Sequence, residues 1–479
     1  MLQTASLRRP DLGDRRTQLA LGGVAIGVVI AAFAVAIGTG DLSLTLLLAG
    51  LGCIPVLVAL AIRRPYLFPY GLYIALVPFD NILKLGSAGT LTKLLGIFAA
   101  VAVIVYTVRR RGLVKPPLAL YVWVLFLAWS LISVTWAPDT DNMHIAIQQM
   151  LSVIGMYLVF AMAPVDEHEL RGICGAFVAG GILASCFGMY LLHQMPHMTG
   201  DQGRLMIDVG NRTIDPNAFA NSLLAPLTIA VVSMLHARSA GRFLLSASAL
   251  VVILAGILMS LSREALLACV VIAAVLVWFS RRRVLGFALA IPAVALIPVF
   301  VPAIAQRMAE SFSTGGAGRT SIWRVGWLSF SQHPIFGSGL GSALDMYNQN
   351  YLLVYQLYNA GWDRPPHNSP LHVAIELGAI GLAMLCVAYF VTFRQMHGIE
   401  RGDQLYDLRV AFTASLVALG IVSLFIDLTI YKYLWIVLIG IAQLRSVALR
   451  RRHGAVTVEL AEPVPRPRPL MHRRAEAPL

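Results

Sequence analysis

Hydrophobic residues along this chain fall in long unbroken runs divided by short polar segments, too uniform for the one-sided helices of a soluble core. Apolar runs of about 17–25 residues cross a bilayer as helices. Such runs lie at 19–38, 42–62, 66–83, 91–108, 118–136, 145–163, 172–192, 217–236, 243–260, 264–280, 284–302, 370–393, 410–428 and 430–447. The run at 66–83 contains Pro69 and Pro78 and the pair flanking Arg263 is short, so the pattern predicts twelve to fourteen spans. The predicted fold class is therefore all-α, a polytopic transmembrane helical bundle. Residues 243–280 as one helix would reach about 57 Å at 1.5 Å per residue, against an apolar core of about 30 Å. The chain must turn near Ser262.

The same runs divide the chain into an N-terminal cytoplasmic segment (1–18), a transmembrane bundle (19–302), a large periplasmic loop (303–369), C-terminal transmembrane helices (370–447) and a Pro/Arg-rich, disordered cytoplasmic tail (448–479). Two outer loops, 193–216 and 303–369, exceed the usual length of connections in compact bundles. The larger holds Trp323, Trp327 and Trp362 and predicts short amphipathic helices on the membrane surface.

Composition agrees. The 479 residues are 58% hydrophobic and 13% charged, with a mean hydropathy of +0.74, where soluble domains are about 45–50% apolar and roughly 25% charged. An ordinary soluble enzyme, a disordered chain and a disulfide-stapled module are excluded. A net charge of +13 would suit a nucleic-acid partner, but placement argues against one: only four of the 37 basic residues are Lys, and most Arg form short clusters between apolar runs. With both termini cytoplasmic, 27 of the 37 fall in inside segments, as the positive-inside rule expects. The other ten, Lys84, Lys93, Arg204, Arg212, Arg263, Arg307, Arg319, Arg324, Arg364 and Lys432, map to the outer face or its boundary. Cys53, Cys174, Cys186, Cys269 and Cys386 all lie inside apolar stretches and read as buried thiols. Arg8, Arg9, Arg15 and Arg16 precede the first run without a cleavage site, which predicts an uncleaved first span.

Candidate chemistry sits at the outer boundary. His367 lies just before an apolar helix for which Ser369 is the expected N-cap and Pro370 the first helical residue. The partial positive charge of that helix start disfavours imidazolium and leaves a neutral ring able to take a proton; an interfacial, hydrogen-bonded histidine is the other reading. Arg263, at the expected turn, is either functional or paired with a carboxylate or lipid headgroup. The Gly-rich stretch 315–318 runs into Arg319 and Arg324, an arrangement that suits an anion or serves as a linker. Arg212 and Asn217 stand at the edge of a span, as ligands or caps. No HExxH or DxD-like cluster occurs, and His367 and His372 are five apart rather than four, so neither a metal nor another cofactor is expected.

His367-Asn368, nine residues, then Gly378-x-x-Gly381 resembles the signature of the O-antigen ligases, a branch of the lipid-linked oligosaccharide ligases and polymerases of bacterial inner membranes. The two glycines share a helix face and allow close backbone approach. Ser262-Arg263-Glu264-Ala265 and Asp215-Pro216-Asn217 resemble further family segments, and Arg319 is the first choice for the family's loop arginine. The resemblance implies His367, Arg263 and Arg319 as catalytic residues and Arg324, Arg212, Asn368 and Asn217 as substrate contacts. It implies O-antigen on undecaprenyl diphosphate as donor and lipid A–core as acceptor, joined without metal at the periplasmic face of the inner membrane. An O-antigen polymerase or a protein O-oligosaccharyltransferase of the same superfamily is the alternative. A lipid or solute transporter fits less well, because the ionisable residues gather at the boundary and not at the bilayer midplane.

Overall fold

The computed structural model describes residues 57–80, 82–83, 90–109, 112–138, 140–194, 203–209, 212–288, 318–355 and 364–459, with isolated positions between 292 and 309. The expected spans 19–38 and 284–302, most of 42–62, Lys84, Trp362 and residues 460–479 therefore lie wholly or largely outside the described residues.

The chain enters through α1 (Tyr70–Leu76), a helix confined between Pro69 and Pro78 that passes into a 3-10 turn over Val77–Phe79. The two prolines thus divide the apolar run at 66–83 into short pieces. There follow α2 (Leu91–Arg109), α3 (Leu118–Ser133), α4 (Asp141–Met162) and α5 (Glu167–Gln194). A two-stranded antiparallel hairpin comes next, β1 (Ile207–Val209) against β2 (Arg212–Ile214), with Ile207 opposite Ile214. This hairpin lies in the outer loop expected at 193–216 and is an addition to the all-α reading. The chain continues with α6 (Pro216–Ser222) and α7 (Leu224–Leu235), which together form one span, then α8 (Ala240–Met259) and α9 (Arg263–Phe279). Last come α10 (Arg319–Gln332), α11 (Ala343–Val354), α12 (Ser369–Arg394), α13 (Tyr406–Val422) and α14 (Lys432–Glu459).

Among the described residues seven helices are long and apolar enough to cross a membrane. Side-chain oxygens start several of the helices: Thr140, Asp215, Ser239 and Ser262 each accept from a backbone N–H of the first turn. The α14 helix runs through the centre of the bundle, in contact with α4, α5 and α13, and 83% of its apolar window is buried. In α8 only 22% is buried, and Leu244, Leu245 and Val251 point outward, as lipid-facing residues must.

Three expectations need correction. The last span does not stop at 447, because α14 continues to Glu459. Its basic end is held: Arg450 donates to the Val165 carbonyl, Arg451 pairs with Glu167, and Arg452 donates to the Gly398 carbonyl. Those partners satisfy charges that the sequence assigned to a solvated tail. Cys186 and Cys386 are exposed on the outside of apolar helices while Cys174 is buried, because an apolar run in a membrane has two environments, protein and lipid. The third correction concerns 303–369. Its middle does not stay on the surface: α10 and α11 pack on α12, and the link between them threads into the bundle.

That link meets a break in α12. Gly378 adopts φ 67°, ψ −168° inside the helix, leaving peptide groups on both sides without their usual partners. Residues 334–339 supply them. Ser338 N donates to Ile375 O (2.9 Å), Gly339 N to Glu376 O (2.8 Å), and Ala379 N reaches Pro334 O (2.8 Å). The Trp129 indole takes the Leu377 carbonyl at 3.0 Å, and the Trp136 indole holds the inserted loop at Gly337 O, 3.2 Å. Only glycine fits the break, since a Cβ on Gly378 would stand 2.1 Å from Ile335 O. Gly378 therefore opens the helix to a loop, and the close backbone approach expected of it is made by that loop, at Ile335 and Gly337.

The Gly378→Ala substitution combines a left-handed φ with a backbone clash and leaves several buried peptide groups without partners, at about 1–3 kcal/mol each. The expected outcome is loss of monodisperse protein from detergent extracts and a lowered melting temperature in whatever remains. Wild-type thermal stability in that variant would contradict the account of the break.

Candidate active site

One end of the bundle gathers the turn between α8 and α9, the starts of α6, α10 and α12, and the link between α13 and α14. The α8–α9 turn falls at Ser260–Ser262, where the length argument required it. Leu261 there has φ 52°, and Ser262 caps α9 by accepting from Ala265 N. Arg263 is consequently the first residue of α9, and its Nη1 donates to the Arg307 carbonyl at 3.0 Å. Arg307, Arg319 and Arg204 are the cations around it, and Glu264 is the opposing charge.

Glu264 is buried, 5% exposed, and takes Arg319 Nη2 at 2.6 Å. Arg319 opens α10 directly after Gly318, which stands at φ 80°, and its guanidinium also lies 5.8 Å over the Phe425 ring. Arg204 is fully enclosed and rigidly held: Nε donates to Ser260 O at 2.9 Å and Nη2 to Asn217 Oδ1 at 2.8 Å. Four guanidinium groups from distant parts of the chain thus converge on one region, with Glu264 and Asp215 beside them among the described residues. Such a region attracts a polyanion, and guanidinium is suited to phosphate oxygens.

His367 occupies the turn into α12 with φ 48°. It and Leu261 are the two non-glycine residues with positive φ among the described residues, and both adjoin the arginine-rich region. Backbone in this region costs about 1–3 kcal/mol and persists where the surroundings enforce it. Here they do. Asn368 Oδ1 accepts from Leu371 N (2.8 Å) while its Nδ2 donates to Leu424 O (3.0 Å). Ser369 N donates to Ser423 O (2.7 Å), and the Trp323 indole donates to Pro366 O (3.1 Å). The cap of α12 is therefore Asn368 rather than Ser369, and Pro370 is the second helical residue. The Ser369 hydroxyl is engaged elsewhere, donating to Ile426 O and accepting from Leu428 N.

Burial holds the His367 imidazole below its ordinary pKa, and Arg319 and then Arg364 push it the same way, against the weaker opposing pull of Asp215 and Asp427. The neutral ring expected from the sequence thus has a different main cause, desolvation beside a cation.

Of the other expected ligands, Asn217 reaches the region through Arg204, and Asn368 has both amide atoms committed to backbone, which makes it a support for His367. Arg324 is exposed on α10, about 140° around the helix from Arg319, and is not brought into the cluster. Arg212 lies in β2, opposite Val209. Sequence reasoning passed over Arg204, Arg307 and Glu264 as site residues. Each carried a signal: Arg204 and Arg307 are among the ten basic residues mapped to the outer face, and Glu264 stands beside Arg263 in a boundary segment.

Diethyl pyrocarbonate acylates neutral imidazole and spares imidazolium, so mass-spectrometric mapping of His367 modification against pH reads its protonation directly. The midpoint is expected below the usual value of about 6.5. Replacing Arg319 by Gln removes a neighbouring cation, which favours imidazolium, so the midpoint moves up in Arg319→Gln. A wild-type midpoint above 6.5, or no shift in the variant, contradicts this electrostatic account.

Residues 248–386 match the sequence model of the O-antigen ligase family. The matched stretch starts within α8, ends within α12 and contains Arg263, Glu264, Arg307, Arg319 and His367. No curated protein matches the chain. Through this segment the multi-pass membrane protein is similar to the O-antigen ligase family.

Proposed function

We propose that the protein transfers O-antigen polysaccharide from undecaprenyl diphosphate to a sugar hydroxyl of lipid A–core, at the periplasmic face of the bacterial inner membrane and with both termini cytoplasmic. The observation that carries this reading is the pairing of a histidine kept neutral with a cluster of guanidinium groups, Arg263, Arg307 and Arg319 of which lie inside the stretch that matches the ligase family.

In the proposed reaction His367 takes the proton of the acceptor hydroxyl as its oxygen attacks the anomeric carbon. The bond from that carbon to the diphosphate oxygen breaks, and the electron pair leaves with the lipid diphosphate, inverting the anomeric centre. Arg263 and Arg319, supported by Arg204 and Arg307, stabilise the charge that develops on the leaving group. Donors fixed before the reaction supply this without reorganisation in a water-poor site. The positively charged end of the bundle lies at helix termini, where a lipid carrier in the bilayer and glycans in water meet. Arg324, exposed on α10, is assigned to the glycan side, and Arg212 and Asn217 to the edge of the donor site. No metal takes part in this scheme.

Purified protein supplied with lipid-linked O-antigen and lipid A–core is expected to yield a ladder of glycosylated lipid A–core. Elongated lipid-linked glycan would indicate a polymerase, glycosylated protein an oligosaccharyltransferase, and lipid flipping without transfer a transporter; each overturns the ligase reading. His367→Ala is expected to abolish transfer, and Arg319→Ala to lower the rate by about 10²–10³, the effect of losing one preorganised charge donor. Activity should survive EDTA. Loss with EDTA and recovery with a divalent ion would overturn the metal-free scheme.

A further inference from the structure

His372 stands at an unspecified position of the ligase signature and was set aside in the sequence as a failed metal partner of His367. In the fold it lies between two carboxylates. Its Nε2 stands 3.0 Å from Glu376 Oε1 on α12, and its Nδ1 faces Asp427 Oδ2 at 3.1 Å in the link between α13 and α14. Nδ1 meets Asp427 as an ion-pair contact without hydrogen-bond geometry, and the two carboxylates flanking the ring favour the imidazolium over the neutral form.

Each carboxylate has a second task. Glu376 Oε1 also accepts from Ala343 N at 3.2 Å, the start of α11 and the end of the loop that fills the break in α12. Asp427 Oδ1 accepts from Thr429 N and Thr429 Oγ1, at 3.1 and 2.7 Å, shaping the link 423–431. The His367 turn is hung on that link by Asn368 Nδ2 to Leu424 O, Ser369 N to Ser423 O, Ser369 Oγ to Ile426 O, and Leu428 N to Ser369 Oγ. One ring therefore ties the support of His367 to the inserted loop on the other side of α12.

We propose that His372, as a fixed buried cation between Glu376 and Asp427, is the positioning residue for the base His367. It acts by fixing the 423–431 link from which the His367 turn is suspended and by neutralising Asp427, whose charge reaches His367. The inference rests on His367 being the base. The charged and titratable groups around the three residues are His367, Tyr389, Tyr431 and Tyr433 near Asp427, with Arg319, Arg364 and Asp215 beside His367.

The test uses the full chain in detergent or nanodiscs. His372→Gln removes the cation and leaves two facing carboxylates. The transfer kcat is expected to fall at least ten-fold while KM for the lipid-linked donor stays within three-fold. The pyrocarbonate midpoint of His367 is expected to move up, because Asp427 is no longer neutralised. His372→Gln/Glu376→Gln returns the net charge of the wild-type trio and is expected to recover most of kcat and to return the midpoint toward the wild-type value. The double variant also serves if the single one does not fold. Unchanged kcat and midpoint in His372→Gln, or a folded double variant as impaired as the single one, overturns the proposal. An active His367→Ala enzyme would instead remove the base assignment itself, whatever His372 does.

Discussion

A peptide group inside a membrane protein must find its hydrogen-bond partner within the protein, and the break in α12 is where that requirement shapes this one. Once Gly378 interrupts the helix, the carbonyls of Ile375, Glu376 and Leu377 and the N–H of Ala379 need partners from elsewhere. The loop 334–339 and the Trp129 indole meet the need, and nothing shorter than a dedicated insertion would. Because that loop joins α10 to α11, its insertion also fixes where α10 begins. Arg319 is brought to Glu264, and Trp323 to the carbonyl before His367. The helix break and the arrangement of the reactive groups are consequences of one backbone constraint.

Charge is handled differently at the two ends of the bundle. At the end opposite His367, Arg171 is matched by Glu167 at 2.9 Å and Asp407 at 2.6 Å, and Arg451 by Glu167. Those pairs lock α5, α13 and α14 together and are complete as they stand. At the His367 end four arginines from separate elements, Arg204, Arg263, Arg307 and Arg319, lie close enough to act on one another's charge. The same residue type joins helices pairwise at one end and gathers in a cluster at the other. Such a cluster beside a shifted histidine marks a candidate site.

Much of the fold was legible because a bilayer makes hydrophobicity local: a span is a run of apolar residues, read without knowing its neighbours. The spans expected at 91–108, 172–192, 217–236 and 370–393 return within a few residues as α2, α5, α6–α7 and α12. Pro69 and Pro78 divide the run in which they occur, and the turn at Ser262 follows from length alone. The place of His367 was also legible, since a titratable residue at the mouth of an apolar helix stands out against its surroundings.

What the sequence determined by itself is the helical membrane architecture, the register of its described spans and a short set of candidate residues at the span boundaries. Tertiary structure alone decided which of them meet. It brought Arg204 and Arg307 beside Arg263, turned Arg324 outward, made Asn368 a cap in place of Ser369, set His372 between two carboxylates and used Gly378 to open a helix. The physical reason is that periodicity and run length report on contact with lipid, which each segment experiences alone. Convergence of side chains from positions 204 to 427 depends on how helix ends and inserted loops satisfy one another, and no local pattern records that.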